Sequence, residues 1–407
     1  MFIEQSVGRR RVVRLLFVLV GVVPCVLLAT AAWWRRSAGH VAALERAAAA
    51  HLGVPVSIDG VAHPRPGVLR LSRVVVGRAA ADAFLEVADV EIEESPEEIR
   101  VSVPRVEVAP GAVRLLRDLA AEWIARPARF RQSWVIDVGE VGWALGAAAG
   151  IEPAGGWHAE CVAAQGSRAV RVRREPACGE EIRVLSRDGR LEAEGRVADG
   201  LPAAIAASLL DGAAGAWGEA IGPRAVVRGE IAAVRSPDGW AGTFTGTVDG
   251  VIPGGAEAWW RRRIDADARL AFAPLRFAAN RLDRCDVELS ARGGTVAQEL
   301  LDALVGSLGC RPGPAYRALD GDAVRRFDTL GCRLLLDEAG LRIEPLAAGR
   351  GLVSYQGMSL VEGPTSTLPP ARLAWFLAPA GRPAVPASPE SAWLISVLPG
   401  GGARAGF

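Results

Sequence analysis

The chain has 407 residues, half of them hydrophobic and 23% charged, with 47 basic against 46 acidic side chains. That balance excludes the basic excess of a nucleic-acid binder, and the apolar content excludes a largely disordered chain. Every basic residue is Arg, so Schiff-base chemistry and P-loop phosphate binding, which need a Lys amine, are excluded as well.

The first element is an uncharged run of 20 residues, Leu15 to Trp34. At ~1.5 Å per residue a helix of that length spans a ~30 Å hydrocarbon core, and Pro24 is tolerable within it. Arg9, Arg10, Arg11 and Arg14 precede the run and Arg35 and Arg36 follow it, which predicts a cytoplasmic N-terminus and an exported body. Trp33 and Trp34 stand where an interfacial aromatic belt belongs. The competing reading is a cleaved signal peptide with Ala29-Thr30-Ala31 as its cleavage site. The run is longer than a usual signal-peptide core and its basic, aromatic flank closes it like a stop, which favours the retained anchor. The chain then divides into a basic N-terminus (1–14), a span (15–34), a β-rich body (35–377) and a Pro/Gly-rich tail (378–407) expected to be poorly ordered.

His40 to Leu52 reads as a helix with Val41, Leu44, Ala48 and Leu52 on one face, ended by Gly53 and Pro55. Beyond it the dominant period is two. Ile99, Val101 and Val103 alternate with polar residues, and Val106 and Val108 resume after Pro104 in the manner of an edge strand or a bulge. Val170 and Val172 follow the same rule. So do Trp240, Gly242, Phe244, Gly246 and Val248, then Leu270 and Phe272, Val287 and Leu289, and finally Cys332, Leu334 and Leu336. Asp188-Gly189, Asp238-Gly239 and Glu338-Ala339-Gly340 sit between strand candidates at hairpin spacing. Short helices are predicted over Ala112–Ala125, Val296–Leu308 and Pro370–Leu377. The fold class is therefore mainly β with a few short helices: an elongated, curved antiparallel sheet behind an N-terminal membrane helix, with a closed β-sandwich as the alternative.

Motifs for chemistry are missing. The four histidines (His40, His51, His63, His158) have no metal-ligand spacing, and His158 beside Trp157 reads as structural. Gly306-Ser307-Leu308-Gly309 has the wrong spacing for a nucleophile elbow. The acidic cluster Glu91–Glu98 around Ser95-Pro96 lacks the Gly-centred Ca²⁺ loop pattern and reads as a solvated hairpin tip. Arg261–Arg263 after Trp259-Trp260 reads as a surface helix end. Spacing allows the bridges Cys161–Cys178 and Cys310–Cys332, with buried reduced thiols as the alternative. The expectation is no catalytic residues, no metal and no cofactor.

Several segments together resemble a family. LERAAAAHLGVPVSIDGV (Leu44–Val61), LRLSRVVVG (Leu69–Gly77) and FLEVADVEIE (Phe84–Glu93), placed behind one apolar helix, are similar to the N-terminus of AsmA-like proteins of the bacterial envelope. VELSARGGTVAQELLDALVGSLG (Val287–Gly309) and FDTLGCRLLLDEAGLRIE (Phe327–Glu344) are similar to the C-terminal part of such proteins. The resemblance implies a non-enzymatic protein in the bacterial inner membrane with its bulk in the periplasm. It further implies a long β-groove and a part in envelope or outer-membrane biogenesis through the handling of lipids. Its expected partners are the membrane, phospholipid and envelope proteins, and no nucleic acid. Inward strand positions Val101, Val103, Phe244, Val248, Leu270, Phe272, Leu334 and Leu336 are the expected lipid-facing lining. The alternative is an envelope scaffold in which the same face closes into a core.

Overall fold

The computed structural model describes residues 7–35, 37–78, 83–108, 110–126, 132–143, 154–164, 167–174, 179–187, 189–209, 221–222, 224–252, 264–320, 323–347 and 351–377. The tail 378–407 and the Arg261–Arg263 cluster lie outside them. Helical geometry runs from α1 (Val7–Phe17) through a π-helical turn (Val18–Val22) into α2 (Val23–Arg35). The wide turn has a local cause. Pro24 brings no N–H and its ring crowds the carbonyl four residues back, and the amide of Val23 reaches to Val18 O, five residues back. Among the described residues no helix is long and apolar enough to cross a membrane, because the π turn divides the run. The apolar side chains of the run nevertheless face outward, with Leu15, Phe17 and Leu27 between 63% and 69% exposed.

Helix α3 (Ala38–Leu52) is capped by the Ser37 hydroxyl, which accepts from His40 N, and it stops at Gly53 in the left-handed region at φ 80°. Among the described residues, nineteen strands follow and form one sheet. In chain order β1 (Val56–Arg65), β2 (Val68–Arg78), β3 (Ala83–Glu94) and β4 (Glu98–Val108) precede helix α4 (Pro110–Ala125). They are followed by β5 (Ser133–Trp143), β6 (Ala154–Ala164), β7 (Ser167–Arg174), β8 (Glu181–Arg187) and β9 (Arg190–Pro202). After the short helix α5 (Ala203–Ser208) come β10 (Val226–Ser236), β11 (Gly239–Val251), β12 (Ile264–Asp265), β13 (Ala268–Ala278) and β14 (Arg281–Ala297). Helix α6 (Gln298–Gly306) leads to β15 (Arg311–Pro312), β16 (Val324–Asp337), β17 (Gly340–Pro345), β18 (Val353–Tyr355), β19 (Met358–Glu362) and helix α7 (Ala371–Leu377). Strands β1 to β11 pair in sequence, and β13, β14, β16 and β17 extend the same sheet. The sheet is open and does not close on itself. Its free edge at β1 is guarded by α3, whose Glu45 carboxylate accepts the outward Ile58 N–H at 2.8 Å.

All pairings are antiparallel except β4 with β5, which are parallel and joined over one face by α4. A 16-residue helix is about 24 Å long, enough to cross several strand spacings of ~4.8 Å. It begins with Ala112 and Val113 in the N-terminal core and ends with Trp123 against Val170 of β7. There the Arg168 guanidinium lies 4.5 Å over the Trp123 ring and donates to the Trp123 carbonyl. A cation at a helix C-terminus over an aromatic face is favourable on both counts.

The hairpins at Asp238-Gly239 and Glu338-Ala339-Gly340 form as expected, with Ser236 facing Gly239 and Asp337 facing Gly340. The turn of β13–β14 was not legible beforehand. It places Ala279 and Asn280 at φ 50° and 60°, and the Asn280 side chain accepts from Trp240 N at 2.8 Å. The single Asn of the sequence thus clasps two neighbouring hairpins, at a position where the left-handed region favours it.

A crease crosses the first strands. Ile58/Val61, Leu71/Val74, Val87/Val90, Val103/Val106 and Val138/Val141 are three residues apart, yet all pack into one core. Period two would place the members of each pair on opposite faces. Two successive outward residues restore the face: Asp59-Gly60, Ser72-Arg73, Ala88-Asp89, Pro104-Arg105 and Gly139-Glu140. The ladder skips Asp59/Arg73, Arg73/Ala88 and Pro104/Gly139 without changing register. Arg73 sits at φ 45°, and a Cβ on Gly139 would come within 2.6 Å of Pro104 O. Pro104 therefore stands at an unpaired level inside a strand that is paired on both sides in unbroken register, so it marks neither an edge nor a bulge.

The helices divide the apolar face into two principal cores. Val41 and Leu44 of α3, Ala112 and Val113 of α4 and Ile205 of α5 cover the N-terminal one. Leu300 and Leu301 of α6 and Phe376 of α7 belong to the C-terminal one. Helix α6 starts at Gln298, two residues later than the sequence predicts, because Val296 is held in the sheet between Ile264 and Arg325. Below this core Arg333 donates to both carboxylate oxygens of Asp286 at 2.8 and 2.6 Å, with Asp286 only 5% exposed. The hydrogen bonds and charge of Arg333 hold the Asp286 carboxyl below its ordinary range, although burial opposes them. That stability is present above about pH 4 and is lost as pH falls through the depressed value. The thermal midpoint of Asp286→Asn is expected to lie below wild type at pH 7 and to converge on it in strong acid. A difference unchanged at pH 2 would show that the ion pair is not its source.

Candidate functional site

Residue pairing defines a row that runs across the strands on the apolar face: Leu69, Ile92, Val101, Ile136, Ala159, Val172, Ile182, Gly195, Ile231, Phe244 and Leu275. Ten strand steps of ~4.8 Å give it a length of about 48 Å. Every member is half-buried except Ile231, which is 43% exposed. Its floor is low because Ala159 and Gly195 contribute little or no side chain. Close by, a Cβ on Gly246 or Gly242 would meet Phe244 Cζ at 3.0 Å or Phe277 Cζ at 2.9 Å, so the aromatic rings lie down over the glycines. The result is a long apolar row whose first members, Leu69, Ile92 and Val101, pack against the N-terminal core and whose Val172 packs in the small cluster under Trp123, with Ile182, Gly195, Ile231 and Phe244 beyond them.

The structure brings all eight sequence-predicted lining residues to this one face. Val101 and Phe244 lie in the strip itself, and Phe244 packs edge-on against Phe272 at 5.6 Å. Leu270, Phe272 and Leu334 are half-buried beside the C-terminal core. Val103, Val248 and Leu336 are 8, 7 and 4% exposed and sit under the protein's own side chains. These three support the face and are not part of its open lining. Sequence reasoning missed Ile136, Ile182 and Ile231, which join the row only through cross-strand register: Ile136 to Val101, Ile182 to Val172 and Ile231 to Phe244.

Moving one residue along each strand reaches the opposite face, where the matching row is polar: Arg70, Glu91, Ser102, Asp137, His158, Arg173, Glu181, Arg196 and Glu230. Charges of opposite sign alternate over much of it, which penalises a slip of register. His158 is its centre. Nδ1 lies 2.6 Å from Asp137 Oδ1 and Nε2 lies 2.8 Å from Glu160 Oε1. Two carboxylate contacts require two N–H donors, so this is a bound imidazolium. Burial opposes the charge, but the hydrogen bonds of Asp137 and Glu160 outweigh it and raise the pKa above the ordinary value. His158 is a cross-strand cation, in keeping with its structural reading.

A cavity of about 470 Å³ lies at the crease, lined by residues that include Arg70, Asp89, Glu91, Asp137, Gly139 and His158. Two of its three carboxylates have cationic neighbours: Asp89 lies 3.6 Å from Arg70 and Asp137 is held by His158. No free acid–base pair results from these two. The Glu91–Glu98 cluster forms the β3–β4 hairpin tip, where Glu98 N donates to Ser95 Oγ at 3.0 Å. Among the described residues no group of three or more His, Cys, Asp or Glu side chains is arranged to hold a metal. Cys310 and Cys332 are free thiols in the C-terminal core, each pushed up to about 12 by burial. Cys161 is a free thiol, and Cys178 lies outside the described residues. Comparison with protein-family models, curated proteins and solved structures finds no match to this chain.

Proposed function

We propose that this is an inner-membrane-anchored periplasmic β-groove protein that binds phospholipid acyl chains and helps transfer them in envelope or outer-membrane biogenesis. The observation that carries the reading is the half-buried apolar row that crosses eleven strands, with its most exposed part from Ile182 to Phe244. Apolar surface left half-covered over such a length marks a binding surface. The exposed apolar side chains of the run, such as Leu15, Phe17, Leu19 and Leu27, support the anchor, and the excess of Arg before the run supports a cytoplasmic N-terminus. The activity is binding and transfer without a catalytic group, metal or cofactor, and envelope proteins are its partners.

The test is mass spectrometry of lipid retained by the full chain purified in mild detergent. Phospholipid near one molecule per chain is expected, with about a tenfold loss in Phe272→Asp, where a desolvated carboxylate would face the acyl chain. Ile231→Asp, at an exposed position, should reduce retention with no loss of fold. Lipid-free wild-type protein would overturn the proposal. The burial of Val103, Val248 and Leu336 favours a second reading, an envelope scaffold with a largely closed face, which crosslinking to envelope proteins in the absence of lipid would support.

A further inference from the structure

The joint between the N-terminal helix and the sheet is built around two histidines. Helix α2 ends beside Ser37, whose hydroxyl donates to Trp34 O at 2.7 Å and accepts from His40 N. His40, in the first turn of α3, is 8% exposed, and its ring centroid lies 4.6 Å from that of Trp34. From the other side comes His63 of β1. The β1–β2 register is irregular between Ala62 and Arg65, and this bulge frees His63 to turn out of the ladder. His40 Nε2 and His63 Nε2 stand 3.2 Å apart, and His40 Nδ1 is buried with no hydrogen-bond partner.

We propose that the His40–His63 pair is a proton-operated latch that holds α2 and α3 against β1 in neutral medium and releases them in acid. With both rings neutral, the Nε2–H of one donates to the lone pair of the other. One added proton can be shared as N–H⁺···N. A second leaves no acceptor and sets two cations 3.2 Å apart. Burial disfavours protonation of His63, and so, among the described residues, do the charges of Arg35 on α2 and His40 on α3. Arg65 of β1 pairs with Glu93 at 3.6 Å, and Glu45 of α3 accepts from Ile58 N. Among the described residues no carboxylate acts to favour the charged form of His63. The contact is therefore intact above about pH 6.5 and survives the first, shared proton; it is lost when the second proton enters at His63, whose folded-state pKa lies below the ordinary histidine value.

Hydrogen exchange of the full chain in detergent micelles, corrected for intrinsic rates, tests this at pH 7.5 and pH 4.5. Peptides covering 38–46 and 58–65 are expected to exchange about tenfold faster in acid, while β16–β17 peptides hold their rate. His63→Gln keeps a hydrogen-bonding side chain at a solvent-exposed position and should make the 38–46 rate independent of pH. Arg35→Gln should move the release to higher pH, since one repelling charge is gone. An acid response that survives in His63→Gln, or wild-type peptides that respond no more than the β16–β17 control, would overturn the latch. Neither outcome depends on whether the apolar strip carries lipid.

Discussion

Gly246→Val is expected to lower the thermal midpoint of the full chain in mild detergent by several degrees or more. A Cβ at Gly246 falls inside contact distance of the Arg228 carbonyl oxygen and 2.8 Å from the Gly229 Cα on β10. Both obstacles are backbone, so no side-chain rotation relieves them. Separating β10 from β11 there breaks the pairing of Arg228 with Thr247 and of Glu230 with Thr245 and lifts the Phe244 ring off its floor. Overpacking of this kind costs about 3 kcal/mol or more, a large part of what a domain has in reserve. Gly189→Ala is the control. Its φ of 76° strains an alanine by about 1–2 kcal/mol, but nothing stands within 4 Å of the new methyl group. The measurement is the thermal midpoint of both variants, and a loss in Gly246→Val no larger than that in Gly189→Ala would show that backbone crowding is not what makes Gly246 necessary.

How much of this was legible in the sequence follows from which physics is local. Alternation fixed Trp240 to Val248 as a strand and put Phe244 and Val248 on one face, because period two is a property of the strand itself. The helix over Ala112–Ala125 was legible from Leu115, Leu119 and Trp123 for the same reason. Its consequence was not: that it would carry β5 parallel to β4 depends on where β5 finds a partner, which no local pattern encodes. The crease was visible only as a break at Pro104. Ile58-Asp59-Gly60-Val61 and Leu71-Ser72-Arg73-Val74 look like lapses in alternation until five strands are seen to lapse at one level. The apolar strip was half legible for a similar reason. Val101 and Phe244 announce themselves within long alternating strands, whereas Ile182 and Ile231 stand between Glu181 and Arg183 and between Glu230 and Ala232 and acquire a role only through cross-strand register. The π turn before Pro24 was not anticipated, since a proline states that one hydrogen bond is lost and not how the helix absorbs the loss.

The two faces of the sheet place different demands on the chain. On the polar face, alternating charges tie each strand to its neighbours, as Arg196 does to Glu230 at 3.2 Å, and such exposed pairs contribute register more than stability. On the apolar face stability comes from the two cores, where Leu301 and Leu341 are wholly buried. Between the cores nothing buries Ile231 comparably, although ordinary packing would gain about 1.5–3 kcal/mol by covering a side chain of that size. Among the described residues that gain is left unused at Ile231, which stays 43% exposed.

Ala159→Trp turns that argument into a measurement. Ala159 lies between Ile136 and Val172 in the strip, half-buried, where its small side chain keeps the floor low. If the strip is open to a ligand, an indole can lie over it without displacing any core side chain, and the thermal midpoint should change by no more than a few degrees. Bound phospholipid should then fall at least fivefold, because the ring occupies the place of an acyl chain. If the protein's own side chains plug the strip, the same substitution overpacks a core and costs about 1–3 kcal/mol. The midpoint of a chain of this size would then drop by several degrees, with no lipid present to lose. The combination of midpoint and lipid content separates the two cases: an unchanged midpoint with lipid lost supports a lipid-binding groove, and a lowered midpoint in a lipid-free protein supports a closed scaffold.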